Sequence, residues 1–66
     1  MKKRAKMKPV ALKRVRQGKP FWLESVAYEV FSRAGGTTFG KYASDKKRGR
    51  WLADDTQVLA RIGDFK

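Results

Sequence analysis

The 66-residue sequence has neither cysteine nor histidine. Without cysteine, disulfides, thiolate metal sites and a cysteine nucleophile are excluded. Without histidine, the chain lacks the usual general base near neutral pH, the commonest metal ligand and the usual activator of a serine or threonine nucleophile. We therefore expect a protein that is not an enzyme and that holds no cofactor and no metal.

Acidic residues and long apolar runs are also scarce. Six carboxylates occur in the chain, and their one adjacent pair, Asp54 and Asp55, is typical of a helix start. No stretch approaches the ~18 apolar residues of a membrane-spanning helix. The basic N-terminus is not followed by the apolar run of ~7 residues that a secretion signal requires. We expect an intracellular, cytoplasmic protein with no membrane partner.

Basic residues dominate the composition, because seventeen lysines and arginines give a formal net charge of +11. Self-repulsion of this size weakens a compact fold, so a purely structural role does not explain it. A phosphate polymer does explain it, since each neutralised phosphate releases condensed counterions and adds affinity. The charge predicts a nucleic-acid partner, with DNA favoured over RNA.

The basic residues form two groups along the sequence. Residues 1–20 contain nine cations and no acid, and the segment DKKRGR contains four more cations. We expect the first group to follow a phosphate backbone or enter a minor groove. The second group would tip a two-stranded ribbon that fits a major groove. The predicted binding residues are Lys2, Lys3, Arg4, Lys6, Lys8, Lys13, Arg14, Arg16, Lys46, Lys47, Arg48 and Arg50.

Within this set, Arg50 is the candidate for a base-edge contact and the lysines are candidates for phosphates. Tyr28, Tyr42 and Trp51 could stack on unpaired bases if they occupy an exposed sheet face. Most aromatic residues are expected in the core, because so short a chain has little else to build one.

The stretch GGTTFGKY has the spacing of a phosphate-binding loop, from Gly35 through Gly40 to Lys41. Such a loop needs Ser or Thr after the lysine to hold magnesium, and here Tyr42 follows. We interpret the match as accidental. Gly35 and Gly36 instead indicate a tight hairpin turn, which needs a residue at positive φ.

The middle of the chain predicts a β-hairpin over residues 26–43 with a three-residue loop, residues 34–36. Aromatic and opposite-charge pairs across strands stabilise a hairpin by roughly 0.2–1 kcal/mol each, and this register supplies both kinds. The predicted pairs are Tyr28–Tyr42, Glu29–Lys41, Val30–Gly40, Phe31–Phe39 and Ser32–Thr38.

We expect an α+β fold with a small three-stranded antiparallel sheet, whose third strand covers about residues 50–53. A C-terminal helix over about residues 55–62 would start at a capping box of Asp54 and Gln57. A mobile basic arm, residues 1–8, would precede a single small domain, residues 9–66. Two alternatives stay open: TQVLARI also alternates like a strand, and helices over 9–17 and 20–34 before a β-wing would give a winged-helix-like fold.

In element order and in its TTFGKY strand, this outline resembles the arm-binding domains of phage-type integrases and the related plant AP2 domains. The resemblance implies a sheet that reads the major groove, and it carries no binding residue to this chain. We hypothesise a non-catalytic protein for double-stranded DNA, of a phage- or plasmid-type regulatory or accessory kind. The competing hypotheses are a small inhibitor or adaptor on an acidic surface of a larger protein machine, and an RNA- or ribosome-associated binder.

Overall fold

A computed structural model describes residues 6–65, which form six β-strands in one antiparallel sheet. The strand order is β1-β6-β2-β3-β4-β5. Within the described residues, no helix has the length and apolar character needed to cross a membrane. The strands are β1 (Met7–Ala11), β2 (Pro20–Leu23), β3 (Val26–Ala34), β4 (Thr37–Tyr42), β5 (Asp45–Ala53) and β6 (Gln57–Arg61), with a 3₁₀ turn at Leu12–Arg14 after β1.

The sheet is strongly curled, and the connection from β5 to β6 shows why. These strands are four positions apart in the sheet order, which corresponds to about 19 Å in a flat sheet. Only residues 54–56 join them, and this link spans at most about 14 Å. The sheet therefore bends around one face, called here the inner face, and leaves a convex outer face.

Alternating side chains fill the space inside the curl. In β6, for example, Val58 and Ala60 are buried whereas the residues between and beside them are exposed. Phe21 is fully buried, and its ring stacks on Tyr28 with centroids 5.2 Å apart. The core consists of Val10, Leu12, Val15, Phe21, Tyr28, Val30, Leu52, Val58 and Ala60.

A polar network closes one end of the curl. The hydroxyl of buried Thr38 donates to a carboxylate oxygen of Asp54 at 2.7 Å and accepts from Nε of Arg33 at 3.1 Å. The same guanidinium donates to the carbonyls of Leu12 and Val15 at 2.8 and 2.6 Å. Arg33 therefore fixes the 3₁₀ turn against β3 and β4.

The predicted hairpin exists, and its register is right for part of its length. Tyr28 pairs with Tyr42, Glu29 with Lys41 and Val30 with Gly40. Beyond Val30 a β-bulge shifts the register, so that Phe31 and Ser32 do not take the predicted partners and Ser32 pairs with Phe39.

The turn of this hairpin contains two residues and not the predicted three. Ala34 pairs with Thr37, and Gly35 and Gly36 have φ values of 56° and 81°. Positive φ at both loop residues is what a two-residue type I′ turn requires. The bulge at Phe31 takes up the residue that a three-residue loop would have used.

The predicted fold class is wrong, because six strands replace three strands and a helix. Residues 57–61 form β6, not the C-terminal helix. The helix would have buried Val58, Leu59 and Ile62 together, but Leu59 is 42% and Ile62 57% exposed. Asp54, the expected helix cap, accepts the hydrogen bond of Thr38 instead. The strand alternative for this segment is the one observed, because Val58 and Ala60, two residues apart, are the buried ones.

The winged-helix alternative is wrong as well, because residues 20–34 form β2 and β3. Their turn consists of Glu24 and Ser25, with φ values of 52° and 68°. Neither residue type signals a turn with positive φ at both positions, so β2 was not predicted. The two strands that this turn connects each bury an aromatic residue, Phe21 in β2 and Tyr28 in β3.

Two further boundaries differ from prediction. The third strand of the expected sheet corresponds to β5, which begins at Asp45 and includes the whole basic segment. Of the expected N-terminal arm, Met7 and Lys8 lie in β1 and pair with β6. Residues 1–5 lie outside the described residues.

Candidate nucleic-acid interface

Three aromatic rings lie together on the outer face and form what we call the outer aromatic cluster: Phe31, Phe39 and Trp51. Phe39 and Trp51 are paired across β4 and β5, with ring centroids 5.2 Å apart and ring planes at 59°. Phe31, carried outward by the β-bulge, meets Phe39 edge-on at 6.3 Å. Phe31 is 51% and Trp51 52% exposed. The core does not cover these rings.

A glycine and a lysine support the cluster. A Cβ atom at Gly49 would lie 2.8 Å from the ring of Phe39, so this ring rests directly on the β5 backbone. The ammonium of Lys41 lies 3.6 Å from the centroid of Phe31. A cation at this distance interacts with the negative face of the ring. The cluster therefore presents apolar ring surface and positive charge side by side.

The second predicted basic group forms a protrusion at the end of β5. Lys41 pairs with Gly49, whereas the next residue of β4, Tyr42, pairs with Asp45. The three residues between these partners, Lys46, Lys47 and Arg48, have no β4 partner in register and are called here the basic bulge. All three are exposed. The ammonium of Lys46 lies 3.6 Å from the carboxylate of Glu29.

Arg50 does not lie with the outer aromatic cluster. It is opposite Gly40, on the inner side of β5, beside Tyr28 and Tyr42. The pKa of its guanidinium is raised above an already high ordinary value, chiefly by the side chain of Tyr28 beside it. Arg50 is therefore a permanent cation at the rim of the core, on the other face of β5 from Trp51.

The three predicted stacking residues separate in the same way. Tyr28 is 2% exposed, with its ring between Phe21 and Tyr42 at centroid distances of 5.2 and 5.1 Å. Tyr42 is half-buried against the core. Tyr28 therefore has no surface left for a base, and of the three only Trp51 belongs to the outer aromatic cluster.

The first predicted basic group is spread over the fold. Lys6 and Lys8 are exposed in and before β1, and Lys13, Arg14 and Arg16 are exposed in and after the 3₁₀ turn. The amide of Lys13 donates to the carbonyl of Asp54 at the far end of β5. The turn is thus about 25 Å along β5 from the basic bulge. Lys2, Lys3 and Arg4 lie outside the described residues.

A further aromatic residue, Trp22 on β2, lies near a small depression. Arg61 is placed over the ring of Trp22, 5.3 Å from its centroid. The depression has a volume of about 220 Å³ and is lined mainly by apolar groups around Trp22, Pro9 and Leu59. Cofactor pockets are typically ~300–1,000 Å³ and enclosed, so this one does not indicate a cofactor site. In residues 6–65, no three carboxylates are grouped so that they could hold a metal ion.

Sequence reasoning missed Phe31, Phe39 and Lys41 as candidate binding residues. The predicted hairpin already placed Phe31 near Phe39, and adding Trp51 on the next strand would have shown a third ring on that face. Phe31 and Phe39 were not considered as binding residues because most aromatic residues were expected in the core. The alternation of a strand does not by itself show which face of the sheet is covered.

Comparison of the chain with protein-family models, with curated proteins and with solved structures gave no match.

Proposed function

We propose that this protein binds nucleic acid without catalysis. The observation that carries the proposal is the position of the basic bulge beside the outer aromatic cluster on β4 and β5. Lysine and arginine side chains meet phosphates, while exposed rings meet sugars or bases. Both kinds of group are available here on one rigid part of the sheet.

The charge balance of the folded part supports a polyanionic ligand. Thirteen of the seventeen cations and all six carboxylates lie within residues 6–65. The structure shows an ion pair between Lys46 and Glu29, whose side chains are 65% and 40% exposed. Exposed pairs contribute little to stability. Thirteen cations against six carboxylates leave a surplus of seven positive charges in this region, which phosphates would neutralise.

The experiment is a fluorescence-anisotropy titration of labelled DNA at two salt concentrations. We expect log affinity to fall by about 0.9 per contacted phosphate against log salt. The double change Lys47→Gln and Arg48→Gln should lower this slope by up to about 2. The matched pair Lys13→Gln and Arg16→Gln measures the contribution of the first basic group in the same way.

Two results would contradict the proposal: no binding to DNA or RNA in dilute buffer, or binding without salt dependence. If an acidic protein were then retained after nuclease treatment, the adaptor hypothesis would take its place. Competition between duplex DNA, single strands and structured RNA distinguishes the DNA and RNA hypotheses. A nucleic-acid ligand would place the protein inside the cell, on the nucleoid if that ligand is genomic DNA.

A further inference from the structure

We infer that the outer aromatic cluster binds unpaired bases, so that the ligand is single-stranded nucleic acid. This inference rests on the proposed function and narrows it. The sequence favoured duplex DNA, read by a basic ribbon. The arrangement of rings and charges on the outer face favours a strand whose bases are free to stack.

The rings keep surface available for a base. Phe39 meets Trp51 at 59° and Phe31 at 73°, so none of the three is stacked face to face with another. About half of the surface of Phe31 and of Trp51 is exposed. Every nucleobase has an apolar face, and stacking on an aromatic side chain therefore needs no particular sequence.

Positive charge lies on the same part of the sheet as these rings. Lys41 lies directly over Phe31, and the basic bulge continues from the strand that carries Trp51. The backbone of Lys19 is hydrogen-bonded to Val30, the neighbour of Phe31. The carboxylate on this face, Glu29, is 3.6 Å from the ammonium of Lys46. Stacked bases would thus have their phosphates next to cations, which is charge complementarity to a phosphate polymer.

The shape of the sheet also favours a single strand. The outer face is convex, because the sheet curls around its core. A duplex is a convex rod with its base faces hidden inside, so it would touch this surface along a narrow line and leave the rings unused. A single strand is flexible and exposes its base faces, and it can follow the curve from the basic bulge across the rings.

Tryptophan fluorescence tests the contact directly. Trp22→Phe leaves Trp51 as the sole tryptophan, which is excited selectively over the two tyrosines, and Trp51→Phe leaves Trp22 as the matched control. Each variant is titrated with an oligothymidylate of about 12 nucleotides, within the usual site size of single-strand binders, with an abasic strand of equal charge and with a duplex. We expect the thymidylate to quench Trp51, and the abasic strand and the duplex to leave it unchanged.

Affinity measurements provide a second readout. Phe31→Leu and Trp51→Leu remove a ring at exposed positions but keep an apolar side chain. Each should weaken thymidylate binding about tenfold and leave abasic-strand and duplex binding unchanged. Leu59→Ala, at a position that is also about two-fifths exposed but lies on β6, should change none of the three affinities. Melting curves confirm that each variant is folded.

The outcomes separate this inference from the proposed function. Equal quenching of Trp51 by all three ligands, or equal loss of affinity for all of them, would overturn the stacking contact and leave nucleic-acid binding in place. Failure to bind any of the three, and structured RNA as well, in dilute buffer would overturn both. Binding to vesicles containing phosphatidylglycerol but to no oligonucleotide would also overturn both and would identify a membrane surface as the partner.

Discussion

Two aromatic rows lie on opposite faces of one sheet and share strands β3 and β4. The inner row consists of Phe21, Tyr28 and Tyr42, and the outer row consists of Phe31, Phe39 and Trp51. Each row has one ring lying over a glycine, Phe21 over Gly40 and Phe39 over Gly49. Phe21 and Tyr28 of the inner row are buried, whereas about half of Phe31 and of Trp51 in the outer row is open to solvent.

The comparison shows that aromatic residues of the same types have different roles, depending on whether other parts of the fold cover them. Covered rings stabilise the fold, since each removes a large apolar surface from water. Uncovered rings contribute less to folding, and their surface remains available to a ligand. The rows also differ in their cations: Arg50 lies beside Tyr28 of the inner row, whereas the ammonium of Lys41 lies over Phe31 of the outer row.

The largest expected effect comes from removing one ring of each row. Phe21→Ala should destabilise the protein by about 3–5 kcal/mol, the usual cost of a buried phenylalanine. For a domain of this size the loss would unfold most molecules. Phe31→Ala, at a half-exposed position, should cost about 1 kcal/mol or less. Urea denaturation followed by circular dichroism measures both, and equal costs would show that the outer row is not open.

A smaller effect is expected from filling the space beneath the inner row. A Cβ atom at Gly40 would lie 2.8 Å from Cζ of Phe21. Gly40→Ala should therefore cost about 1–3 kcal/mol through overpacking. Adding Phe21→Leu to this variant shortens the clashing side chain, so the two changes together should cost less than their sum. Strict additivity of the free energies of unfolding would rule out the contact.

The smallest expected effect is a gain of stability at a turn that touches neither row. Glu24 and Ser25 both have positive φ without being glycine, which is unfavourable for side chains with a Cβ. Glu24→Asn with Ser25→Gly should stabilise the protein by about 1 kcal/mol. The thermal midpoint should rise while affinity for nucleic acid stays the same. A lower midpoint would mean that the turn is not strained.

This stabilised background would also sharpen the comparison of the rows. Variants such as Gly40→Ala are expected to be close to unfolding, and an added margin of about 1 kcal/mol keeps more of them folded for binding assays. Ligand affinity could then be compared between inner and outer variants at equal folded fraction.

Part of the fold could be predicted from local pattern. The glycine pair and the pairs Tyr28–Tyr42 and Glu29–Lys41 placed the β3–β4 hairpin correctly up to Val30. The bulge at Phe31 was not predictable, because its reason is tertiary: residues 17–19 run alongside β3 there and hydrogen-bond to Val30 and Phe31. The β2–β3 turn was missed because Glu24 and Ser25 do not signal positive φ.

The C-terminal segment shows the limit of a short pattern. Residues 57–62 fit a helical face and a strand about equally well, since five or six residues contain too few turns to separate the two periods. The decision came from β1 and β2, which flank β6 and pair with it. If residues 57–61 formed a helix, β1 and β2 would each keep an edge of unpaired backbone hydrogen-bonding groups. The free-energy cost of those unpaired groups exceeds what a single capping box contributes.

Composition by itself determined that the chain lacks histidine and cysteine chemistry and carries a large positive charge, and nearest-neighbour pattern determined one hairpin. These properties depend on residue identity or on contacts a few positions apart. Only the tertiary structure decided how many strands pair, how far the sheet curls and which aromatic rings are covered. Burial depends on residues distant in sequence, and a one-residue bulge is enough to move a ring from one environment to the other.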